Sequence, residues 1–275
     1  MRNNAGKNGR DVLASNRVMS NKLKSIQEFD LHLTSLFHEL RDANDHFYFV
    51  NCLVQAISDY EREINCAPTF WIYTINAHTS ATMSHLCRVY DYDSAAVHLL
   101  FLLETVRDNP NVFCKQALKQ RLGHRAGGDD LVEHFGDPDM AQIGADIKFC
   151  RYPDPDPLVD KLRNWRHNLV AHLNKRVSID FDSFKNQWPL EQKDIQELIK
   201  KGHDILERCA GWYDTRSLPL DLPSPCDKDY IFVFDSVRLN LSRRDEQDDL
   251  LLKLISKHDA QSGQTPAAPP ATPPP

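Results

Sequence analysis

The chain has 275 residues, 41% of them apolar and 26% charged, which are the proportions of a globular protein with length for one large domain or two small ones. No apolar run approaches the roughly 20 residues of a membrane helix, and the polar, basic stretch from Met1 to Arg17 lacks the apolar segment of a secretory signal. A formal net charge of −6, from 39 acids against 33 bases, argues against a general nucleic-acid binder, which carries a basic excess.

Seven cysteines are present, none in a C-x-x-C pair. The odd count excludes a fully paired disulfide framework, and the spacing excludes a zinc knuckle. Several sit among apolar neighbours, as buried thiols of a reducing cytoplasm would. Only 10 glycines occur, four of them between Gly123 and Gly136, so long stretches lack turn residues and the class is predicted to be all-α.

In chain order, residues 1–19 are polar and predicted to be flexible. From Asn21, Leu23, Ile26, Leu33, Leu36, Phe37 and Leu40 recur at helical spacing, and Phe47, Val50, Leu53, Val54, Ile57 and Ile64 continue the stripe. Asn44 and Asp45 either mark a junction or lie within one continuous helix. Pro68 precedes a long helical pattern from Phe70 to Tyr90, with Ile72, Ile75, Thr79, Met83, Leu86 and Cys87 on one face. Asp93 or Ser94 is the expected cap of a helix reaching about Arg107, stopped by Asn109-Pro110.

A short helix is predicted from Val112 to Leu122, a glycine-rich loop from Gly123 to Asp139, and a brief helix from Met140 to Phe149. The alternating prolines of 153–157 lead into a helix running from about Leu158 to Asn174, and Trp188-Pro189 opens another. Tyr230 to Phe234 reads as a strand-like segment, either a lone strand or an extended arm, and Asp245 to Lys257 as a short helix. The last ten residues hold six prolines and no charge, a composition that builds no core. The expected organisation is a flexible segment 1–19, a helical domain 20–215, an arm 216–257 and a Pro-rich tail 258–275, with five to seven helices in the bundle.

The chemistry-bearing segment is Arg163-Asn164-Trp165-Arg166-His167-Asn168-Leu169-Val170-Ala171-His172. Between Lys161 and Arg176 there are five Lys/Arg residues and no acid. A solvated helix face with incidental basic residues is the plain alternative. On a straight α-helix the six-residue step from Arg166 to His172 is about 600°, which leaves the two about 120° apart. Two copies of the chain facing each other, or a helix that ends near His172, would relieve that separation. Arg88 and Asp91, three apart, are placed to pair on one helix face or to support a cleft from a neighbouring helix. Lys115, Lys119, Arg121, His124 and Arg125 form a second basic stretch, a solvated helix end or an RNA-backbone track. His38-Glu39-Leu40-Arg41-Asp42 lacks the second histidine of a zinc-protease helix, His203-Asp204 lacks its partner motifs, and Gly127-Gly128 lacks the Lys-Ser/Thr of a P-loop.

The segment Arg166-His167-(x4)-His172, with Val170-Ala171 before the second histidine, resembles the R-x4-6-H signature of the HEPN superfamily, and within it the AbiU-type abortive-infection branch. Leu86-Cys87-Arg88-Val89-Tyr90-Asp91, closing an aromatic-rich helix, is similar to a second segment of that branch. The resemblance covers about residues 20–210. It implies a HEPN-like helical bundle and a metal-independent endoribonuclease acting as a cytoplasmic homodimer on RNA, with no cofactor, metal ligand or membrane and often with an antitoxin partner. It implies Arg166 and His172 as catalytic residues, with His167, Asn168, Arg163, Arg88 and Asp91 supporting them or binding RNA. The alternative is a non-catalytic HEPN-like module that binds RNA or protein. The resemblance departs at Asn174, where some HEPN toxins carry a tyrosine that an antitoxin modifies.

Overall fold

The computed structural model describes residues 8–123, 127–151, 153–170, 180–220 and 229–262, with side chains described over 28–168 and 180–257 within those ranges. Among the described residues there are twelve α-helices and no strand. They are α1 (Asn8–Ala56), α2 (Glu61–Asn65), α3 (Pro68–Val89), α4 (Leu99–Asp108), α5 (Pro110–Phe113), α6 (Lys115–Leu122), α7 (Gly128–Phe135), α8 (Met140–Cys150), α9 (Pro157–Trp165), α10 (Phe181–Gln187), α11 (Gln192–Asp214) and α12 (Asp229–Ser262). A π-helical turn, Arg166–Val170, continues α9. No helix among the described residues is long and apolar enough to cross a membrane.

The chain divides into two compact units. One comprises residues 1–51 and 74–222, the other 52–73 and 223–275, so the chain passes between them within α1, within α3 and at 222/223.

The core of the larger unit follows from helical periodicity. On α1, Phe29, Leu33, Leu36, Leu40 and Ala43 recur three or four apart and are buried. They belong to one cluster with Leu99, Leu102, Leu103 and Val106 of α4 and with Leu198, Ile199, Ile205, Leu206, Cys209 and Ala210 of α11. α4 packs against α8, and α11 packs against α4, α6 and α9. Asn44 and Asp45 lie inside a continuous α1, since Phe47 carries the apolar face past them. Gly211 is where α11 meets α7: a Cβ added there would fall within the ring of Phe135.

Helix starts are fixed by side chains that accept orphan backbone N–H groups. Asp139 accepts from Ala141 and Gln142, Asp156 from Leu158 and Asp180 from Ser183. The cap of α4 is His98, whose Nδ1 accepts from the Phe101 N–H at 3.1 Å, rather than the expected Asp93 or Ser94. Asp93 instead turns the preceding loop by accepting from Ala95.

In the smaller unit, Tyr230 to Phe234 is helical, which corrects the strand reading. Phe234 is fully buried while Phe232 is 73% exposed, and the interactions recur at four-residue steps. Phe234 stacks on Tyr60 (centroids 4.6 Å) and tilts against Trp71 (4.7 Å). One turn on, Arg238 lies over Tyr60 and bonds Glu63 (2.6 Å) and the Asp59 carbonyl. Further on, Asp245 pairs with Arg62 at 2.7 Å. α1 begins at Asn8 and α12 continues to Ser262. The rest of the Pro-rich tail, residues 263–275, lies outside the described residues.

Candidate functional site

Pro157 occupies the first position of α9, where its missing N–H costs nothing, and Asp156 caps the helix. Trp165 closes α9, its indole N–H donating to the Trp188 carbonyl at 2.7 Å. The winding then widens into the π-helical turn Arg166–Val170. Insertion of this turn removes the 100° step on which the 120° separation of Arg166 and His172 was calculated. His172 and Asn174 lie outside the described residues.

Arg166 reaches across to the loop after α3. Its Nη2 donates to Asp91 Oδ2 at 2.8 Å. Asp91 is buried, and its other oxygen accepts the backbone N–H groups of Tyr92 (2.7 Å) and Asp93 (3.2 Å). The carboxylate is therefore fixed by its own loop before it meets the arginine, and so the ion pair sets where the guanidinium sits. Beside it, burial pushes the Cys87 thiol up to about 12, with the Arg166 charge opposing. Cys150 and Cys209 are likewise raised to about 12 by burial, so these three thiols are structural hydrophobes and not nucleophiles.

Arg163, expected either to support the catalytic pair or to bind RNA, is part of the frame. It is buried, and its guanidinium donates to the carbonyls of Tyr90 (3.4 Å), Cys150 (2.6 Å) and Arg151 (3.1 Å), with Tyr92 under its face at 5.0 Å. Burial pushes its pKa down, yet a guanidinium stays charged. These bonds tie α9 to the ends of α3 and α8, and so hold the Asp91 loop against Arg166.

Arg88 does not pair with Asp91. It turns to α1, where its Nη1 meets Glu39 Oε2 at 2.7 Å, and also lies 3.2 Å from His85 Nδ1 on its own helix. The reason is competition: Asp91 is already committed to its own loop and Arg166. Burial alone would raise the Glu39 pKa, but the bonds from Arg88 and His85 outweigh it and hold the carboxyl below its usual range. His167 is exposed, and Asn168 donates to the Asn164 carbonyl at 2.8 Å.

Two lysines of the second basic stretch pair with acids of α7. Lys115 meets Glu133 (2.5 Å), Lys119 meets Asp129 (2.7 Å), and Arg121 is spent on the carbonyls of Val112, Trp212 and Tyr213. These contacts remove the reason to read Lys115, Lys119 and Arg121 as an RNA track; His124 and Arg125 lie outside the described residues. His203 Nε2 donates to the Leu218 carbonyl at 2.6 Å, a fold contact. Among the described residues, no group of three or more His, Cys, Asp and Glu is placed to hold a metal ion.

One residue near the site was missed. His98 is buried at the start of α4, and desolvation lowers its pKa while Asp91 opposes the shift. The signal was present in the sequence, since His98 interrupts the longest apolar run, but nothing in its spacing pointed to Asp91.

The sequence profile of AbiU2, an abortive-infection family of HEPN type, matches residues 26–225. The chain belongs to that family. Its all-α fold agrees with a HEPN-like bundle, and the matched region contains both the Arg88–Asp91 and the Arg166–His172 segments. No curated protein and no solved structure matches the chain.

Proposed function

We propose that this AbiU2 protein is a metal-independent endoribonuclease of HEPN type, acting as a homodimer in a toxin–antitoxin or anti-phage defence setting. The observation that carries the reading is the seating of Arg166 by a buried, loop-fixed Asp91 at the start of the π-helical turn that leads toward His172. A bond of this kind uses one of the five guanidinium N–H groups, and π-helical turns recur at functional sites.

The chemistry follows from the residue types. Cleavage of RNA needs a proton taken from the 2′-hydroxyl and one delivered to the leaving oxygen, for which an imidazole of pKa about 6.5 is suited. Charge develops on the phosphate oxygens, and a preset guanidinium stabilises it without reorganising. His172 moves the protons, Arg166 binds the developing charge, Asp91 and Arg163 position Arg166, and His167 and Asn168 orient the phosphate. In a symmetric dimer, Arg166 of one subunit meets His172 of the other.

Mixing tests both the chemistry and the shared site. Arg166→Ala and His172→Ala proteins are each expected to be inactive on RNA. Refolded together in equal amounts, they should recover about a quarter of wild-type cleavage, because half the dimers then carry one intact site of two. Inactive singles with no recovery would place both residues in one subunit.

The second reading, a non-catalytic HEPN-like binding module, is favoured by the same ion pair if its role is purely structural. RNA binding that weakens with salt, without cleavage and unchanged by His172→Ala, would decide for it.

A further inference from the structure

The ribonuclease reading leaves unused a cluster of histidines between α1 and α3 of the larger unit. His46 Nδ1 lies 2.8 Å from His78 Nδ1, with the rings edge to face at 4.9 Å. Phe49 covers His78 at 4.5 Å, and His85 stacks against His46 at 5.7 Å. His85 Nδ1 in turn meets Glu39 Oε2 at 2.8 Å.

A contact of that length between two ring nitrogens holds a single proton: one imidazole donates and the other accepts. It survives when both rings are neutral or one is charged. When both are charged, both nitrogens carry protons, no acceptor remains, and two like charges face each other. The charged and titratable groups around the contact are Glu39, Asp42 and Asp45 from α1, and His85 and Arg88 from α3. Burial, joined by His85, pushes the His46 pKa down against the pull of Asp42 and Asp45. Burial, joined by His46, does the same to His78. The cluster is therefore assembled from rings that resist protonation while packed.

We propose that His46, His78 and His85 form a proton-operated latch between α1 and α3, closed at neutral pH and released by mild acid. The sign follows from linkage. Both His46 and His78 bind protons more weakly folded than unfolded, where the value is about 6.5. Above that value neither state takes up protons, and the latch is at full strength. As pH falls from about 6.5 toward the lowered folded values, the unlatched chain protonates first, and stability is lost. Glu39, whose carboxyl the bonds from Arg88 and His85 hold below its usual range against burial, stays charged through this window. Since α3 leads into Asp91, release also loosens the seat of Arg166.

The test uses the full chain and does not depend on its activity. Ring-labelled histidines are titrated by NMR from pH 8 to 5, and urea unfolding is compared at pH 7.5 and 5.5. The expected result is that, besides His98, two rings titrate below 6.5, and these two are absent in the double variant His46→Gln, His78→Gln. The wild-type urea midpoint should fall from pH 7.5 to 5.5, and the double variant, which keeps a donor and an acceptor but binds no proton, should lose at most half as much. His46 and His78 rings that titrate at or above 6.5, or a double variant as acid-sensitive as wild type, would overturn the latch. If the double variant does not fold, the wild-type ring titration alone decides.

Discussion

Replacing Arg163 by alanine separates a frame residue from an RNA contact. The substitution removes the donor for three carbonyls. Those of Tyr90 and Cys150 belong to buried residues, while Arg151 is exposed and its carbonyl can turn to water. Leaving a buried acceptor without a partner costs about 1–3 kcal/mol, so two of them give about 2–6 kcal/mol. Water entering the vacated space recovers part of this, which brings the expected loss to about 2–4 kcal/mol. For a protein of this size that is a fall in Tm of about 5–12 °C. Urea unfolding followed by circular dichroism measures it directly. Arg163→Lys should retain part of the stability, since an ammonium reaches one carbonyl but cannot fork across three. An Arg163→Ala protein within about 0.5 kcal/mol of wild type that has nevertheless lost RNA affinity would refute the argument and return Arg163 to the RNA.

Asp91→Asn keeps the shape of the side chain and the acceptor for Tyr92 and Asp93 but turns an amide toward Arg166. Charge-assisted bonds contribute about 1.5–3 kcal/mol; Arg166 is 34% exposed, so solvent screening reduces the expected loss to about 1–2 kcal/mol in urea, with RNA cleavage down about tenfold or more. Gly211→Ala should destabilise by about 1–3 kcal/mol because the new methyl overlaps the Phe135 ring; a gain in stability, as helix propensity alone would give, would show that α7 does not pack there. Glu39 has its pKa lowered on folding, so its contribution is present above about 4.5 and lost as pH falls through the lower folded value. Unfolding curves between pH 5 and 3 should therefore be flatter for Arg88→Ala than for wild type, and equal slopes would contradict the assignment.

The fold class and most helices were legible because their apolar residues keep helical spacing, as Phe29, Leu33, Leu36 and Leu40 do. The misreading at Tyr230 to Phe234 came from composition: a run of aromatic and β-branched residues looks like a strand until the partners are known. The helical answer was nevertheless written in Tyr230, Phe234 and Arg238, each four apart, two of which meet Tyr60. At the site, the sequence named Arg166 and Asp91 separately and left Asp91 either pairing with Arg88, its neighbour on the chain, or supporting the cleft, without naming Arg166 as its partner. The true partner lies 75 residues away, and only packing brings it near. For Arg163 the sequence left open support or RNA contact for the same reason, since its charge is visible in sequence and the three carbonyls around it are not. The basic stretch at Lys115 and Lys119 was cancelled by Glu133 and Asp129 on a helix that sequence had read as loop.

The central claim is that Arg166 and His172 cut RNA. Its most direct measurement is single-turnover cleavage of labelled RNA in EDTA by wild type, Arg166→Ala and His172→Ala, each first shown to be folded. The account predicts cleavage by wild type and a loss of at least about a hundredfold in each variant, the scale that general acid–base and charge-stabilising groups contribute. Cleavage at the wild-type rate by both variants would contradict it.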